Sequence, residues 1–181
     1  MILETERLVL DTWQMSDWTL FRPIATDPEV MRYITGGEPW PDDRIQSFVN
    51  RQIELYSQRG FCRWKLLLKP SSQMIGFCGV GFWRDYPDPE IGWWLARAHW
   101  GRGLASEAAS TALKDIFERV KLDCVISVAR PENVASIRIM KKLGLQFECE
   151  FENEGLRLVR YALDRAGYFA RQEPHRAQDM R

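Results

Sequence analysis

The sequence contains little that would commit it to nucleic acid or to a membrane. Its 25 lysines and arginines are balanced by 25 aspartates and glutamates, so no net field draws the chain to a polyanion. No apolar run approaches the roughly 20 residues that cross a bilayer. The acidic start at Glu4 and Glu6 is not typical of a secretory signal peptide. These absences predict a cytoplasmic protein without nucleic-acid or membrane partners.

Cysteine and histidine are also scarce. The four cysteines lie far apart in apolar, strand-like surroundings, which argues against a metal motif and a disulfide scaffold. Of the two histidines, His99 and His175, neither accompanies a serine or cysteine in the pattern of a nucleophilic enzyme. We therefore expect no metal ion, reduced cysteines, a structural His99 and no covalent acyl-enzyme.

Long linkers, internal repeats and low-complexity segments are missing as well. We predict one domain over residues 1–170 and a polar tail over 171–181. The apolar periodicity predicts the element order β-α-α-β-β-β-α-β-α-β-β, which is an α/β or α+β sheet protein. The main predicted strands are 7–13, 62–69, 74–83, 90–96, 124–129, 146–152 and 156–163, and the main helices are 16–24, 42–60, 104–120 and 134–143.

The most informative stretch is the glycine turn at residues 98–105 (AHWGRGLA), which follows a predicted strand and opens an amphipathic helix. Gly101 and Gly103 permit positive φ and let a ligand approach the main chain closely. The first amides of the helix have no internal partner and, with the helix dipole, form an anion site suited to a diphosphate. By itself, the pattern is equally typical of an ordinary tight turn.

Context separates this turn from two other phosphate-binding motifs. It lacks the Gly-Lys-Ser/Thr ending of an ATP-hydrolysing P-loop. In a dinucleotide-binding fold the glycines follow the first strand, and an acidic residue ends the next one. Here three predicted central strands precede the turn, and Asp123 lies before a strand. Neither motif fits.

Four segments resemble GNAT N-acetyltransferases, in the order in which that family has them. Residues 101–105 (GRGLA) are similar to the pyrophosphate loop, and 90–95 (EIGWWL) to the strand before it. Residues 133–136 (NVAS) with 142–145 (KLGL) resemble the signature of the following helix. Residues 4–8 (ETERL) resemble the start of the ribosomal-protein N-acetyltransferase branch, the RimJ/RimL type.

This resemblance implies a GNAT fold, with a central, twisted, mixed but mostly antiparallel sheet of six to seven strands flanked by about four helices. It implies transfer of an acetyl group from acetyl-CoA directly to a primary amine, with CoA as product. The acceptor is either the α-amine of a protein or peptide, as the branch suggests, or a small amine such as an amino acid, polyamine or drug. A non-catalytic CoA-binding sensor is a third hypothesis. The expected state is a monomer or homodimer.

Three residues depart from the family pattern. Trp100 replaces the glutamine or arginine that opens the pyrophosphate loop, and Leu145 replaces a phenylalanine. Met140 stands where many members place a tyrosine acid. The missing tyrosine gives the sensor hypothesis slight support, whereas Glu90 and Ser136 count against it.

The resemblance also implies the cofactor contacts. The amides of residues 102–105 would take the pyrophosphate, and the backbone of residues 93–95 would pair with the pantetheine arm. Asn133 is either a cofactor contact or a helix N-cap, and Ser136 either protonates the departing sulfur or bonds to the backbone. The residues expected at the cofactor are Trp93, Trp94, Leu95, Trp100, Gly101, Arg102, Gly103, Leu104, Ala105, Asn133, Ser136, Arg138 and Lys141, with Lys142 nearby.

Deprotonating the acceptor amine is the larger chemical problem. At pH 7, neutralising a lysine amine costs about 4.6 kcal/mol and an α-amine about 1 kcal/mol, whereas a thiol leaves readily. Glu90, at the start of the strand before the turn, is the candidate catalytic base and, as the resemblance implies, works through water. The alternative is a strand-end carboxylate in solvent or in an ion pair.

We expect the acceptor side to be built from the first helices and the hairpin ends. Trp40, Trp83 and Tyr86 are the candidate substrate contacts there. The carboxylates predicted beside them are Glu38, Asp42, Asp85 and Asp88. Aromatic rings with carboxylates favour a cationic or protonated-amine substrate, although loop carboxylates are more often only solvated.

Overall fold

One mixed sheet organises the molecule. The computed structural model describes residues 2–82 and 87–172. Its strands are β1 (Leu3–Glu4), β2 (Leu8–Asp11), β3 (Arg63–Leu68), β4 (Gln73–Phe82), β5 (Pro89–Leu95), β6 (Cys124–Ala129), β7 (Gln146–Asn153) and β8 (Leu156–Asp164). They lie in the order β1-β2-β3-β4-β5-β6-β8-β7. Every neighbouring pair is antiparallel except β5 and β6, which are parallel.

Six α-helices accompany the described strands. They are α1 (Trp18–Ala25), α2 (Pro28–Met31), α3 (Asp42–Arg59), α4 (Leu104–Lys114), α5 (Val134–Leu143) and α6 (Arg165–Ala170). Helix α4 runs on into a π-helical segment over Asp115–Val120, so the helix predicted over 104–120 is confirmed with a change of hydrogen bonding near its end. None of the described helices is both long enough and apolar enough to cross a membrane.

The mixed, mostly antiparallel sheet is confirmed, but it has eight strands where six to seven were expected, and six helices where about four were expected. Strand β1 was missed because two residues are too few to show an alternating pattern. Helix α6 was missed because it is only six residues long. Its start is marked by Asp164, whose carboxylate accepts a hydrogen bond of 2.6 Å from the Gly167 amide.

An aromatic cluster joins α1 and α3 to one face of the sheet. Phe21 and Phe48 have ring centroids 5.4 Å apart, Phe48 and Phe77 5.1 Å, and Phe77 and Trp94 5.2 Å. Helix α4 packs against β4 and β5 and also against α5. Burial of such large rings dominates core energetics, so this cluster fixes how α1 and α3 lie over β5.

A buried ion pair fixes the chain entering α1. The Lys65 ammonium on β3 lies 2.8 Å from a carboxylate oxygen of Asp17, and each side chain is about 9% exposed. The same Asp17 oxygen accepts a hydrogen bond of 2.7 Å from the Gln14 amide. The turn before α1 is therefore held to the middle of the sheet by charge as well as by the aromatic cluster.

Strands β5 and β6 separate from each other inside the sheet. Their parallel ladder contains one pair of partners, Glu90 and Ile126. Both strands continue beyond this pair without further pairing to each other, so a gap widens toward their C-terminal ends. Helix α4 begins nine residues after the end of β5, and its first residues line the cleft that opens there.

Candidate active site

A cleft of about 840 Å³ opens where β5 and β6 separate. This volume lies within the range of ordinary small-molecule sites. The sequence-predicted residues that line it are Trp40, Glu90, Trp93, Trp94, Leu95, Trp100, Gly101, Gly103, Leu104, Ala105, Asn133, Ser136 and Arg138. Arg102 and Lys141 lie outside its lining. Trp83, Tyr86 and Asp85 lie outside the described residues.

The register of β5 decides which of its backbone groups face the gap. The Ala96 amide donates to the Ile75 carbonyl at 2.8 Å, so alternation directs the backbone of Trp94 toward β4 and that of Trp93 and Leu95 away from it. In agreement, the outward carbonyl of Leu95 accepts a hydrogen bond of 2.7 Å from the Trp100 indole. Of the three residues expected to pair with pantetheine, Trp93 and Leu95 therefore present amides to the gap, and Trp94 does not.

The glycine turn leaves an open cradle of backbone amides. Gly101 and Gly103 have φ of +71° and +75°, which L-residues adopt only with strain. The Glu107 amide already donates to the Gly103 carbonyl at 3.0 Å, whereas no side chain of residues 2–82 or 87–172 caps the amides of residues 104–106. A Cβ added at Gly101 would meet no atom within 4 Å, so the space over the turn is open. Such a cradle fits a diphosphate.

Arg7 braces this turn from the far end of the chain. Its guanidinium donates to the Arg102 carbonyl at 2.9 Å and to the Glu107 carboxylate at 2.7 Å. The Arg7 amide and the Thr5 hydroxyl donate to the other oxygen of Glu107. Burial disfavours the charged form of Glu107 and would raise its pKa. The hydrogen bonds from Thr5 and Arg7 outweigh this effect and hold the pKa below its ordinary value. Residues 4–8 were singled out in the sequence only for their resemblance to one branch of the family, and the contact between Arg7 and the glycine turn was not predicted.

Trp100 and His99 complete the turn. The Trp100 ring remains 47% exposed, although its indole N–H is bound to Leu95. His99 is buried, and its Nδ1 lies 3.2 Å from the Arg102 guanidinium. Burial and the charge of Arg102 lower the pKa of His99, so the ring is neutral and accepts from Arg102. This geometry favours the structural role expected for His99.

Glu90 is buried beside an arginine that sequence reasoning missed. Arg63 on β3 lies 2.5 Å from a Glu90 carboxylate oxygen, and the two side chains are only 12% and 10% exposed. The guanidinium passes over two glycines: a Cβ at Gly81 would lie 3.2 Å from it and one at Gly92 3.6 Å. Burial raises the pKa of Glu90, although Arg63 and the Val128 amide favour its ionised form. The sequence left open whether the Glu90 carboxylate lies in solvent or in an ion pair, and the structure shows the ion pair with Arg63.

Helix α5 brings two polar side chains to the cleft. The side-chain oxygen Oδ1 of Asn133 accepts a hydrogen bond of 3.2 Å from the Ser136 backbone amide, which makes Asn133 the N-cap. Its amide nitrogen is not used by this cap, so one side chain can serve both roles. The Ser136 hydroxyl has no hydrogen-bond partner within residues 2–82 and 87–172 and lines the cleft. Met140 is 1% exposed and has no proton to donate.

The side of the cleft formed by α2, α3 and the loop between them, where the acceptor was expected, is aromatic and carries arginines. The ring centroids of Trp40 and Trp94 lie 4.7 Å apart, and the Arg44 guanidinium lies 4.5 Å from the centre of the Trp40 ring. Arg51 lines the same side from α3. Three of the four predicted carboxylates lie in the described residues, and none of the three lines the cleft. Asp42 pairs with Arg22 at 2.7 Å, Asp88 with Arg160 at 2.8 Å, and Glu38 is exposed. Glu29 and Glu54 line it instead.

Known proteins resemble this chain over most of its length. The family model described as "Acetyltransferase (GNAT) domain" matches residues 7–146. The chain is 29% identical over 154 residues to "Uncharacterized N-acetyltransferase YnaD" of Bacillus subtilis (strain 168), covering 84% of this chain and 86% of that protein. It is 31% identical over 152 residues to "Uncharacterized N-acetyltransferase p20" of Bacillus licheniformis, covering 81% and 83%.

Solved structures agree with this result. A GNAT-family acetyltransferase from Bacillus anthracis superposes with a TM-score of 0.77 at 26% identity, covering 92% of this chain and 99% of that one. RimL, a ribosomal L7/L12 alpha-N-protein acetyltransferase in complex with CoA, superposes with a TM-score of 0.76 at 17% identity, covering 91% and 98%. At that identity, the likeness to RimL concerns the fold.

Proposed function

Because this chain belongs to the GNAT acetyltransferase family and is an N-acetyltransferase, we propose that it transfers an acetyl group directly from acetyl-CoA to a primary amine, and that this amine is the N-terminal α-amine of a protein or peptide. The observation that carries the proposal is the gap between β5 and β6, with an open amide cradle at one end and a buried carboxylate at the other. The fold shared with RimL supports the choice of acceptor.

The cofactor would be held mainly by main-chain groups. The amides of residues 104–106 bind the diphosphate, and the Trp93 and Leu95 backbone binds the pantetheine arm as a further strand would. When bound, acetyl-CoA supplies the activated thioester carbonyl. An amide of β5 at that carbonyl oxygen stabilises the charge that develops during transfer, which is worth about 3–4 kcal/mol per donor in known enzymes.

Glu90 would take the proton of the acceptor amine through water. A carboxylate paired with Arg63 is a modest base, so it suits an amine that loses its proton easily. Neutralising an α-amine at pH 7 costs about 1 kcal/mol, compared with about 4.6 kcal/mol for a lysine amine. This difference supports an α-amine acceptor. The Ser136 hydroxyl, which lines the same cleft, would donate a proton to the departing sulfur.

A small amine is the second candidate acceptor. Trp40, Phe48 and Trp94 form an aromatic wall on the acceptor side, which is the kind of surface that a small molecule fills. A non-catalytic CoA sensor is the third candidate. It is supported by Met140, which stands where many family members have a tyrosine acid. Placement of Glu90 and Ser136 in the cleft counts against it.

Two measurements test the proposal together. Acetyl-CoA at 100 times its Kd should add about 2.7 kcal/mol of stability, visible as a rise in melting temperature. Release of free thiol from acetyl-CoA should then depend on an added peptide with a free N-terminus. Absence of the melting shift would overturn the cofactor assignment, and a shift without turnover on any peptide or small amine would favour the sensor.

A matched pair of glycine variants locates the cofactor. Gly101 and Gly155 both have positive φ, of +71° and +73°, and a Cβ at either meets nothing within 4 Å. Gly101→Ala and Gly155→Ala should therefore lose similar stability, about 1 kcal/mol. Only Gly101→Ala should weaken the shift caused by acetyl-CoA. Equal shifts in both variants would place the diphosphate elsewhere.

A further inference from the structure

The guanidinium of Arg63 has N–H donors that the described residues do not use. Its Nη2 donates to the Glu90 carboxylate at 2.5 Å, whereas Nε and Nη1 make no hydrogen bond within residues 2–82 and 87–172. Neither of these two nitrogens is among the buried atoms without a partner, in contrast with Nε1 of Trp40, so both are reachable from the cleft that Arg63 lines. A guanidinium carries donors and no acceptor, so a group that binds here must offer an acceptor atom such as oxygen.

Contacts to the main chain fix the position from which the Arg63 side chain extends. The Arg63 carbonyl accepts a hydrogen bond of 2.5 Å from the Trp13 indole, and the Arg63 amide donates to the Gln52 side chain at 3.1 Å. From β3 the side chain crosses β4 to reach the carboxylate on β5. A Cβ at Gly81 would lie 3.2 Å from Nη1, so glycine at this position leaves room for the guanidinium. The donors are therefore held in place before a substrate binds, which lowers the cost of ordering them.

The charge balance at this position favours an uncharged oxygen. Glu90 already neutralises Arg63, and the two side chains are only 10% and 12% exposed. A substrate carboxylate bound to Arg63 would place a second negative charge beside Glu90 where little water can screen it, which is unfavourable. The oxygen of an amide carbonyl accepts the same hydrogen bond and adds no charge. The site therefore favours a carbonyl over a carboxylate.

The contact between Arg63 and Glu90 also limits the distance from this oxygen to the acceptor amine. Glu90 is the proposed base and acts on the amine through water, and Arg63 touches its carboxylate. A substrate that uses both residues must therefore carry its amine and its oxygen close together. An α-amine on the carbon next to a carbonyl, as at the start of a peptide, has this arrangement. Polyamines lack it, because they have no oxygen.

We propose that Arg63 determines the acceptor specificity by donating a hydrogen bond from Nε or Nη1 to the carbonyl oxygen next to the acceptor amine. This inference rests on the proposed N-acetyl transfer and narrows its acceptor to α-amino amides, the chemical class to which peptide N-termini belong. The fork of donors on one guanidinium then serves two partners, the carboxylate of the base and the carbonyl of the substrate.

Matched small acceptors test this preference in the wild type. Alaninamide, alanine and isopropylamine share the carbon that carries the amine and differ in whether an amide, a carboxylate or a methyl group is attached to it. We expect kcat/KM for thiol release, corrected for the neutral fraction of each amine, to be about tenfold higher for alaninamide than for either of the others. Both comparison amines are more basic than alaninamide and hence more nucleophilic, so this order would not follow from intrinsic reactivity. Alanine or isopropylamine equal to or better than alaninamide would overturn the proposal.

Variants connect the preference to Arg63. Arg63→Lys keeps a cation beside Glu90 but removes the fork of additional donors, so the preference for alaninamide over isopropylamine should be lost. Arg160→Lys is the matched control, since Arg160 pairs with Asp88 at 2.8 Å and does not line the cleft, and it should keep the preference of the wild type. The melting shift with acetyl-CoA shows in each variant whether the fold and the cofactor site persist.

A preference that survives Arg63→Lys, or that Arg160→Lys removes to the same extent, contradicts the assignment to Arg63. The comparison of acceptors in the wild type decides the carbonyl preference even where a variant does not fold. Absence of turnover with every acceptor, in a protein whose melting temperature rises with acetyl-CoA, would instead refute the proposed acetyl transfer on which the inference rests.

Discussion

At the scale of single residues, the proton chemistry depends on how Glu90 is held. Its carboxylate is buried against Arg63 at 2.5 Å, and burial raises its pKa above the ordinary value of 4.5. The Arg63 guanidinium and the Val128 amide favour the ionised form of the carboxylate and so oppose the effect of burial on its pKa. The same contact limits its strength as a base. Glu90 is therefore suited to accept a proton relayed by water from an amine that ionises near neutrality.

Glu90→Gln should lower kcat/KM by about 10²–10⁴-fold at neutral pH, because general-base catalysis typically contributes that much. The deficit should shrink at high pH, where the acceptor amine loses its proton without help. In the wild type, activity should fall as the pH falls through the raised pKa of Glu90, since only the ionised form accepts a proton. A pH profile of thiol release measures both effects.

Glu148→Gln is the control for this variant, because Glu148 pairs with Arg160 at 2.6 Å but does not line the cleft. The acetyl-CoA melting shift should persist in both variants. An unchanged pH profile in Glu90→Gln would remove Glu90 from the role of base. A loss of equal size at every pH would assign it a structural role only.

At the scale of elements, the phosphate turn depends on a segment that is remote in sequence. Gly101 and Gly103 have no side chains that could pack, so this part of the turn depends on support from other segments. Arg7 supplies this support by binding the Arg102 carbonyl and the Glu107 carboxylate. The first strand-forming segment and the start of α4 therefore act as one unit.

Arg7→Gln should raise the KM for acetyl-CoA about tenfold, equivalent to about 1.4 kcal/mol, and leave kcat within about twofold. The physical reason is that Arg7 positions the amide cradle and is remote from the reacting atoms. Lys69→Gln is a matched control, because Lys69 pairs with Glu4 on the same N-terminal arm at 3.0 Å but does not touch the turn. Steady-state kinetics with varied acetyl-CoA measure the difference.

The pH dependence of this brace has a definite sign. The pKa of Glu107 lies below its ordinary value of 4.5 in the folded protein, so its ionised form is favoured by folding. The stabilisation is present above the unfolded pKa and is lost as the pH falls through the lowered folded pKa. An acid-dependent loss of stability that persists unchanged in Glu107→Gln would contradict this account.

At the scale of the whole molecule, the buried pair of Lys65 and Asp17 links the helical layer to the sheet. Asp17→Ala should destabilise the protein by about 3–5 kcal/mol, because it leaves a buried ammonium with only Asp11, 3.6 Å away. The double change Asp17→Leu with Lys65→Met should recover much of this loss. Asp42→Ala, which breaks an exposed pair with Arg22, should cost less than about 1 kcal/mol. Urea denaturation measures all three.

Most elements of the fold were predictable because their signals are local. The acidic start at Asp42, the apolar stripe from Ile45 and the stop at Gly60 predicted α3, which spans Asp42–Arg59 and ends with Gly60 at φ +72°. The turn at Gly101 and Gly103 was predicted for the same reason. Strand β1 has two residues and α6 has six, which is too short for a periodic signal. The π-helical end of α4 depends on packing and leaves no mark in the pattern.

The family, the glycine turn and the order of elements follow from residues that are neighbours in the chain, since hydrophobic period and backbone torsion act over a few positions. The contacts that shape the site do not. Arg63 meets Glu90 across 27 positions, and Arg7 meets Arg102 across 95. These contacts depend on the register of the sheet and on where β5 leaves β6. Only the folded chain decides them, because a shift of one residue would turn each side chain to the opposite face.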